Sequence, residues 1–528
     1  MRKKLGYYFR TVRYLKPEQL LRRVGKKLGF SCSLRGTAPS RGEGRFLLSL
    51  PELDFDPGFL RRFSPEELME DRITLLHENE VFRRGGCWYV PGRSELWNFN
   101  LHYFEFLHVL TRRYLDAADR AALEKAVQLV RDWIRDNPRT AGGPGWSPYT
   151  ISLRLTNWLA WLAAVDRELE GNFRQELEEA LFAQYVHLSR HLERDLLGNH
   201  YFENLKALVL CALYFQDGKN LPLYLEAFRK ECREEILPDG MHFELSPMYH
   251  KLVLEGLLRV ASALREAGQP DGALELQAAR MLNAAWSMEN GLHRTPLFND
   301  SGDNVAKSLT ALTVCAKKRL GIEPVCASML PDSGYYFFNA GPWRLIVDAG
   351  APGPDYIPGH SHCDAMSFEL FRGGEPVLVN CGTYGYQCSQ RHWFRSTRAH
   401  NTVQVMGVEQ SEIWSVFRLA RRSSTRVLEV LENGIRMEMT DYRGNRIRRE
   451  ILLTEQTLSI RDRAEGLALE SHLHSIPALT IIGNVPLRQE ECPYGPEYGL
   501  LQTIHHYIAA GTGQIELTVP LAAGGDPG

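Results

Sequence analysis

Residues 335–348 read YYFFNAGPWRLIVD. The segments YYFFN and WRLIVD have the two-residue apolar period and the aromatic, β-branched content of short strands. Downstream the same period continues through MSFELF (366–371), VLVN (377–380) and NTVQV (401–405). In RVLEVLENGIRMEMTD (426–441), Asn433-Gly434 is the pair that a two-residue type I′ hairpin favours. Arg443-Gly444-Asn445 marks another turn before RIRREILL (446–453) and TLSIRDRAE (457–465). Antiparallel strands at this spacing predict a β-sandwich. The closing LAAGGDPG (521–528) reads as a loose tail.

Upstream of residue 325 the apolar period is helical. Leu123, Ala126, Val127, Val130 and Ile134 form one helix face. Ser147-Pro148 looks like an N-cap followed by proline at the first helical position, and the helix after it carries Ile151, Leu155, Trp158 and Leu162 on one stripe. Ser246-Pro247 repeats that start signal. Further helical stretches run over 174–196, 202–215, 219–235, 271–289 and 304–320. Roughly ten helices with short connections and almost no strand signal predict a curved array of antiparallel hairpins. The chain is therefore expected to be multidomain, α then β. The expected parts are a helical arm and lead-in over 1–90, a helical domain over 91–325 and an antiparallel β domain over 326–528.

The composition sets outer bounds. Sixty-two Lys and Arg against 64 Asp and Glu leave a net charge of −2, which gives no case for bulk nucleic-acid binding. Ten cysteines at irregular spacing, with no CxxC pair, read as reduced thiols. The first thirty residues are basic, but no apolar stretch follows that would make a Sec signal. The expectation is a cytoplasmic chain, or a periplasmic one if another export route carries it. Runs such as Trp158–Val165 are too short to span a bilayer. The basic arm reads as a solvated helix in preference to a segment lying on an anionic surface.

Four clusters concentrate chemistry. Gly198-Asn199-His200-Tyr201-Phe202-Glu203-Asn204 sits at a helix start, where such residues either converge on a ligand or cap the turn. In His242–His250, Tyr249 falls in the first turn of the next helix, where backbone N–H groups are unpaired. In Pro358-Gly359-His360-Ser361-His362-Cys363-Asp364, His360 and His362 point the same way in an extended chain, a plausible metal or acid/base arrangement. The fourth joins Asn380–Tyr386 to Arg395–Thr402, with Arg395 as a candidate carboxylate or sulfate contact and His400 before a strand. Two earlier segments are rich in sugar-binding groups. One holds Trp97 and His102; the other holds Trp146, Tyr149, Arg154 and Asn157. Aromatic faces stack on pyranose rings while Arg and Asn bond hydroxyls and carboxylates, though about half such aromatics are core.

The order W-N-F-N-L-H-Y-F, W-x-x-Y-x-x-S-x-R-x-x-N-W, G-N-H-x-x-E-N, a Ser-Pro-x-Tyr helix start, P-G-H-x-H-x-D-x-x-S-F and R-x-x-x-A-H-N-T-V resembles the heparinase II/III family over residues 95–420. Alginate and oligoalginate lyases share that architecture. The resemblance implies an incomplete (α/α) toroid followed by an antiparallel β-sandwich. It also implies cleavage of uronate polysaccharides by β-elimination. By resemblance, Asn199 and His200 contact the uronate carboxylate, Tyr249 protonates the leaving oxygen or serves as both base and acid, and His360 is the alternative base. Glu203 matches a position beside the carboxylate. No cofactor is required, but the family can hold a structural zinc, for which His362, residue 380 and His400 match. Here residue 380 is Asn, a poorer zinc ligand than carboxylate, with Asp364 as a substitute. The N-terminal segment looks like that of bacterial proteins associated with capsule or exopolysaccharide production. Two other readings stand beside this one. A glycoside hydrolase would use Asp300 and Asp303, and a glycan-binding or assembly protein would keep the cleft without turnover.

Overall fold

The computed structural model describes residues 2–521 apart from 31, 32, 35, 43, 44, 82–87, 140, 141 and 304. The C-terminal stretch 522–528, read above as a tail, lies outside the described residues.

Helices occupy the chain from Glu95–Leu101 to Leu309–Cys315, followed by one wider turn over Ala316–Leu320. Helices near in sequence pack on each other: Pro148–Val165 on Asn199–Tyr214, that helix on Leu221–Glu235 and Pro247–Glu266, and the latter on Gly272–Glu289. The stripe Ile151, Leu155, Trp158 and Leu162 is buried, as its spacing requires. Asn199–Tyr214 is buried almost all round. Its polar Glu203, Asn204 and Lys206 therefore need partners inside the molecule. The capping expectations divide. Ser246 accepts from the Tyr249 N–H through its side chain, whereas Ser147 holds the N-cap position without a side-chain bond.

Apart from a small separate hairpin, Ile413–Ser415 with Arg418–Leu419, the strands from Met329–Leu330 to Leu500–Pro520 form one hydrogen-bonded antiparallel sheet. Two long strands, Thr457–Ser475 and Leu500–Pro520, run through it and pair with each other, with a register shift between Arg463 and Ala468. Thr457–Ser475 also pairs with Arg446–Leu453 at one end and with Val403–Val405 towards the other. Apolar side chains from the early strands (Leu345, Val347, Leu370) and the late ones (Ile447, Ile460, Val519) share one core.

Two turns differ from expectation. Leu431 pairs with Gly434, so the hairpin loop is Glu432-Asn433, and none of these residues has a positive φ. The turn is not type I′. A Cβ on Gly434 would meet the Ile451 carbonyl at 2.0 Å, so close strand approach, not turn geometry, needs the glycine. The lead-in also contains a hairpin, Arg72–Leu75 with Glu78–Val81, closed by Leu76 and His77 at φ 50° and 61°. Two non-glycine residues in the left-handed region carry no turn signature, which hid the hairpin in the sequence. It docks on the β part at Gly499 (φ 82°), where an added Cβ would lie 2.1 Å from the Leu76 carbonyl oxygen.

This contact can be tested against a matched control. Gly499 and Gly513 have nearly equal φ (82° and 80°), but nothing lies within 4 Å of a Cβ at Gly513. Gly513→Ala should cost only backbone strain, about 1–3 kcal/mol. Gly499→Ala should cost clearly more, because backbone must move as well. Thermal or denaturant unfolding of the two variants measures the difference; equal losses would show that the hairpin does not press on Gly499.

Candidate active site

A cleft of about 1390 Å³ runs between the helical and β parts. The helical part contributes Tyr149, Asn199, His200, Glu203 and Tyr249 to its wall, and the β part contributes His360, Tyr386 and Tyr498.

Asn199 is the first residue of its helix, held there by Gly198 at φ 59°. A Cβ at Gly198 would meet the Glu244 carboxylate at 2.7 Å, so only glycine lets that carboxylate approach. Asn199 Nδ2 donates to Glu244 Oε2 at 3.2 Å and lies 3.4 Å from His360 Nε2. His200 rests against Tyr149, ring centroids 4.5 Å apart, and its Nδ1 faces Glu193 Oε1 at 3.2 Å. Asn204 fixes Glu193 by donating to Oε2 and accepting from its N–H. Burial works against an imidazolium at His200, but Glu193 outweighs it and the pKa is raised above 6.5. Glu203, raised by burial, pairs with Lys206.

Tyr249 and His360 come from different domains, and their ring centroids are 4.0 Å apart. The Tyr249 hydroxyl bonds Tyr386 at 2.6 Å, which bonds Tyr498 at 2.7 Å. Burial holds Tyr249 well above the usual phenol range, so it rests protonated. His360 Nδ1 bonds Asp300 Oδ2 at 2.9 Å. A carboxylate accepts only from N–H, so the proton sits on Nδ1 and Nε2 keeps its lone pair towards Asn199 and the cleft.

Asp300 is fully buried, and Arg391 grips both its oxygens. It also accepts from His362 Nε2 at 2.8 Å and from Thr383 at 3.1 Å. Burial pushes its pKa up, but Arg391 and the two imidazoles outweigh this and hold it well below the usual carboxylate range. The hydrolase reading makes Asp300 half of a catalytic pair, but its oxygens are committed and it does not line the cleft. Asp303 does line the cleft, with its carboxylate near Thr295. Glu244 and Tyr386 lie within the clusters named above but carry no role there, and Tyr498 lies outside them, since single Glu and Tyr residues carry no local signature.

Five expected sugar contacts move elsewhere. Trp97 is core, its Nε1 donating to the Glu78 carbonyl. His102 accepts from Trp133 Nε1 at 2.9 Å, and burial lowers its pKa to about 3. Trp146 is buried and donates to the Asn137 carbonyl. Arg154 is fully buried; it donates to Gln184, His102 O and Gly145 O and lies over the Trp133 ring. Arg395 is likewise buried, donating to the Ser361, Ser415 and Val416 carbonyls, and burial brings it down to about 9. It shapes the His360 loop and does not meet a ligand. In each case a wide aromatic face or a five-donor guanidinium serves the interior. Tyr149 and Asn157 remain in the cleft wall, though Asn157 is also tied to Tyr103 O and His108.

The metal candidates are also placed. His400 Nδ1 bonds the Ser396 carbonyl and His362 Nε2 bonds Asp300, so each carries its proton there. The lone pairs of His362 Nδ1 and His400 Nε2 then face each other at 3.1 Å. Two buried lone pairs so placed need a proton or a cation between them, and both imidazoles have the outer partners that metal-ligating histidines have. Asn380 Oδ1 accepts from Asn401 N–H and its Nδ2 is unpartnered, so the third donor is a neutral amide. Asp364 is no substitute: among the described residues its carboxylate does not come together with His362 and His400 as a group of three ligand atoms, and its Oδ2 accepts from Asn299 N–H at 2.9 Å. Two imidazoles fit zinc, while the anionic third ligand is missing. Separately, ligand atoms of Cys381, His474 and Cys492 lie within 4.8 Å of one another, all buried. The eight described cysteines are free thiols.

The heparinase II/III N-terminal region matches residues 85–317, and the heparinase II/III-like C-terminal region matches 323–502. The chain belongs to the heparinase II/III family. The heparin-sulfate lyase of Pedobacter heparinus is 24% identical over 364 residues, 60% of this chain and 52% of the relative. That of Bacteroides thetaiotaomicron is 20% identical over 402 residues, 65% and 57% of the two chains. The chain thus spans little more than half the length of these curated relatives. A crystal structure of heparinase III overlays with a TM-score of 0.66 at 15% identity, covering 93% of this chain and 88% of that one. A heparan sulfate lyase mutant from Pedobacter heparinus gives 0.57 at 17%, covering 88% and 84%. These overlays establish the family fold of helices followed by an antiparallel sheet.

The His200–Glu193 pair yields a sign-definite prediction. With Glu193→Gln, burial is opposed only by the weaker attraction of Glu244 and Asp195, and the His200 pKa should fall relative to wild type. A raised folded pKa stabilises below the unfolded value, and that stability is lost as pH rises through the folded value. Wild type should therefore lose stability relative to Glu193→Gln as pH climbs above 6.5. Imidazole NMR titration checks this; an unchanged His200 curve would remove Glu193 as its partner.

Proposed function

We propose that this heparinase II/III family protein is a polysaccharide lyase that cleaves a uronate-containing glycan by β-elimination. The observation that carries the reading is the meeting of Tyr249 and His360 across the interdomain cleft, 4.0 Å apart, with Asn199 beside them. Relatives named heparin-sulfate lyase support the reaction class.

The C5 proton of a uronate is weakly acidic because the adjacent carboxylate is negative. Asn199 and a cationic His200 would neutralise that carboxylate and stabilise the enolate-like intermediate. His360 Nε2, with its lone pair free, removes the C5 proton. Tyr249, resting protonated, gives its proton to the departing O4. The His360 imidazolium then releases the C5 proton to solvent in the cleft, and solvent returns one to the Tyr249 phenolate through the Tyr386 and Tyr498 hydroxyls. Glu203 is held by Lys206 beside this site and tunes its charge.

The cleft wall carries eight Lys or Arg and eight Asp or Glu. A wall without net charge suits a polymer with one carboxylate per uronate and sparse sulfation, in preference to a densely sulfated one. An exopolysaccharide of the producing cell falls within this class. The hydrolase reading loses its support because Asp300 is committed to Arg391, His360 and His362. A binding protein would leave the same cleft without turnover.

Tyr249→Phe and His360→Ala should each lower kcat by roughly 10²–10⁴-fold while leaving glycan binding and circular dichroism nearly unchanged. The readout is ultraviolet absorbance of the new C=C conjugated to carboxylate, on low-sulfated heparan, heparin, hyaluronan and alginate. Wild-type turnover in either variant would refute the assignment, and no absorbance on any uronate polymer would leave binding as the function.

We further propose that His362 and His400 hold a structural zinc that takes no part in proton transfer. It would tie the His360 loop to the strand after His400. Chelation should lower the thermal midpoint and leave the initial rate of elimination essentially unchanged. Collapse of the rate with release of one zinc per chain would show that the ion belongs to the chemistry.

A further inference from the structure

The N-terminal arm is two amphipathic helices, α1 (Arg2–Val12) and α2 (Pro17–Lys27), each with one face docked and the other uncovered. In α1, Tyr7 stacks on Trp414, Arg10 pairs with Glu412 at 3.0 Å, and Thr11 accepts from Trp414 Nε1. In α2, the buried Gln19 donates to the Leu196 and Tyr356 carbonyls, and Arg23 donates to Asp195 O. These bonds fix which faces look outward.

The outward faces are apolar. Phe9 is 78% exposed and Tyr8 56%; Leu21, Val24, Leu28 and Phe30 are 74%, 58%, 69% and 70% exposed. Leu21, Val24 and Leu28 follow i, i+3, i+7, a single stripe. Ten described large apolar side chains are more than half exposed, and these are six of them, within 23 residues. Scattered exposed apolar residues need no explanation, but a stripe on each of two consecutive helices does. Around it the charge is positive: residues 6–30 hold seven Lys or Arg and one Glu, in a chain of net charge −2. Arg10 and Lys16 are spent on Glu412 and Glu234, while Arg13 and Lys27 stay exposed and Lys26 remains 64% exposed beside Asp195.

We infer that the arm is an interfacial anchor that lays α1 and α2 on an anionic phospholipid surface. The apolar stripe enters the headgroup–acyl boundary and the basic side chains meet the lipid phosphates. A protein partner would also cover an apolar stripe, but the excess of unspent cations beside it fits a surface of phosphates. No helix among the described residues is long and apolar enough to cross a membrane, so the association is peripheral. Thr11, Leu15 and Arg23 also line the rim of the cleft, which places the cleft mouth beside the lipid surface.

The test is flotation of the full chain with vesicles of phosphatidylcholine alone or mixed with phosphatidylglycerol. Wild type should float with the anionic vesicles about tenfold better than with the neutral ones, and high salt should weaken this. The triple variant Leu21→Ser/Val24→Ser/Leu28→Ser should lose flotation with unchanged thermal unfolding. Arg13→Glu/Lys27→Glu should lose most of it at low salt and match the weakened wild type at high salt. Equal flotation of wild type and both variants, or none by wild type, overturns the proposal. So does a wild-type dimer in sedimentation velocity that the triple variant dissociates without any vesicle binding, because a second copy then covers the stripe.

Discussion

A carboxylate without water must be matched by charge and hydrogen bonds, and Asp300 is such a group. Arg391, His360, His362 and Thr383 all converge on it from the β part, while its own chain segment belongs to the helical part. Desolvating a charge costs several kcal/mol, and removing one partner of such a pair costs about 3–5 kcal/mol. The two domains are therefore locked at the point where one supplies the carboxylate and the other the cations and imidazoles. The same bond fixes the tautomer of His360 and so decides which nitrogen faces the cleft.

Around this anchor, burial assigns protonation states. Tyr249, Tyr386 and Tyr498 are all pushed up by burial and rest as phenols linked in a chain. His200 is raised as well, but by Glu193 acting against burial, and this favours its cation. A cleft wall thus holds a neutral proton donor, an imidazole with a free lone pair and a cationic imidazole within one site. This separation of roles comes from neighbours and not from residue type, since seven tyrosines and three histidines line the same cleft.

Fold class was legible because two periodicities divide the chain near residue 325, and periodicity records which face is buried. The stripe from Ile151 to Leu162 and the strand pair Tyr335–Ala340 and Trp343–Asp348 are read correctly for that reason. Turns were less legible. Asn433-Gly434 has the composition of a type I′ turn, yet the glycine answers to the Ile451 carbonyl across the strand. Leu76-His77 makes a turn with no turn residues, because docking against Gly499 holds it.

By itself the sequence determined the order of an α part and a β part, and it determined the motif residues Asn199, His200, Tyr249 and His360 that line the cleft. Local signals suffice there, since a Ser-Pro helix start and a glycine before Asn199 act within a few residues. Only the tertiary structure decided which polar and aromatic residues serve a ligand and which serve the interior. Trp97, His102, Trp146, Arg154 and Arg395 have the chemistry of sugar contacts, but burial and carbonyl partners distant in sequence claim them. Asp300 reads as half of a hydrolytic pair until Arg391, ninety-one positions later, is folded against it. The physical reason is the same in both directions: a side chain's role is set by the dielectric and the partners around it, and those are brought together by the fold.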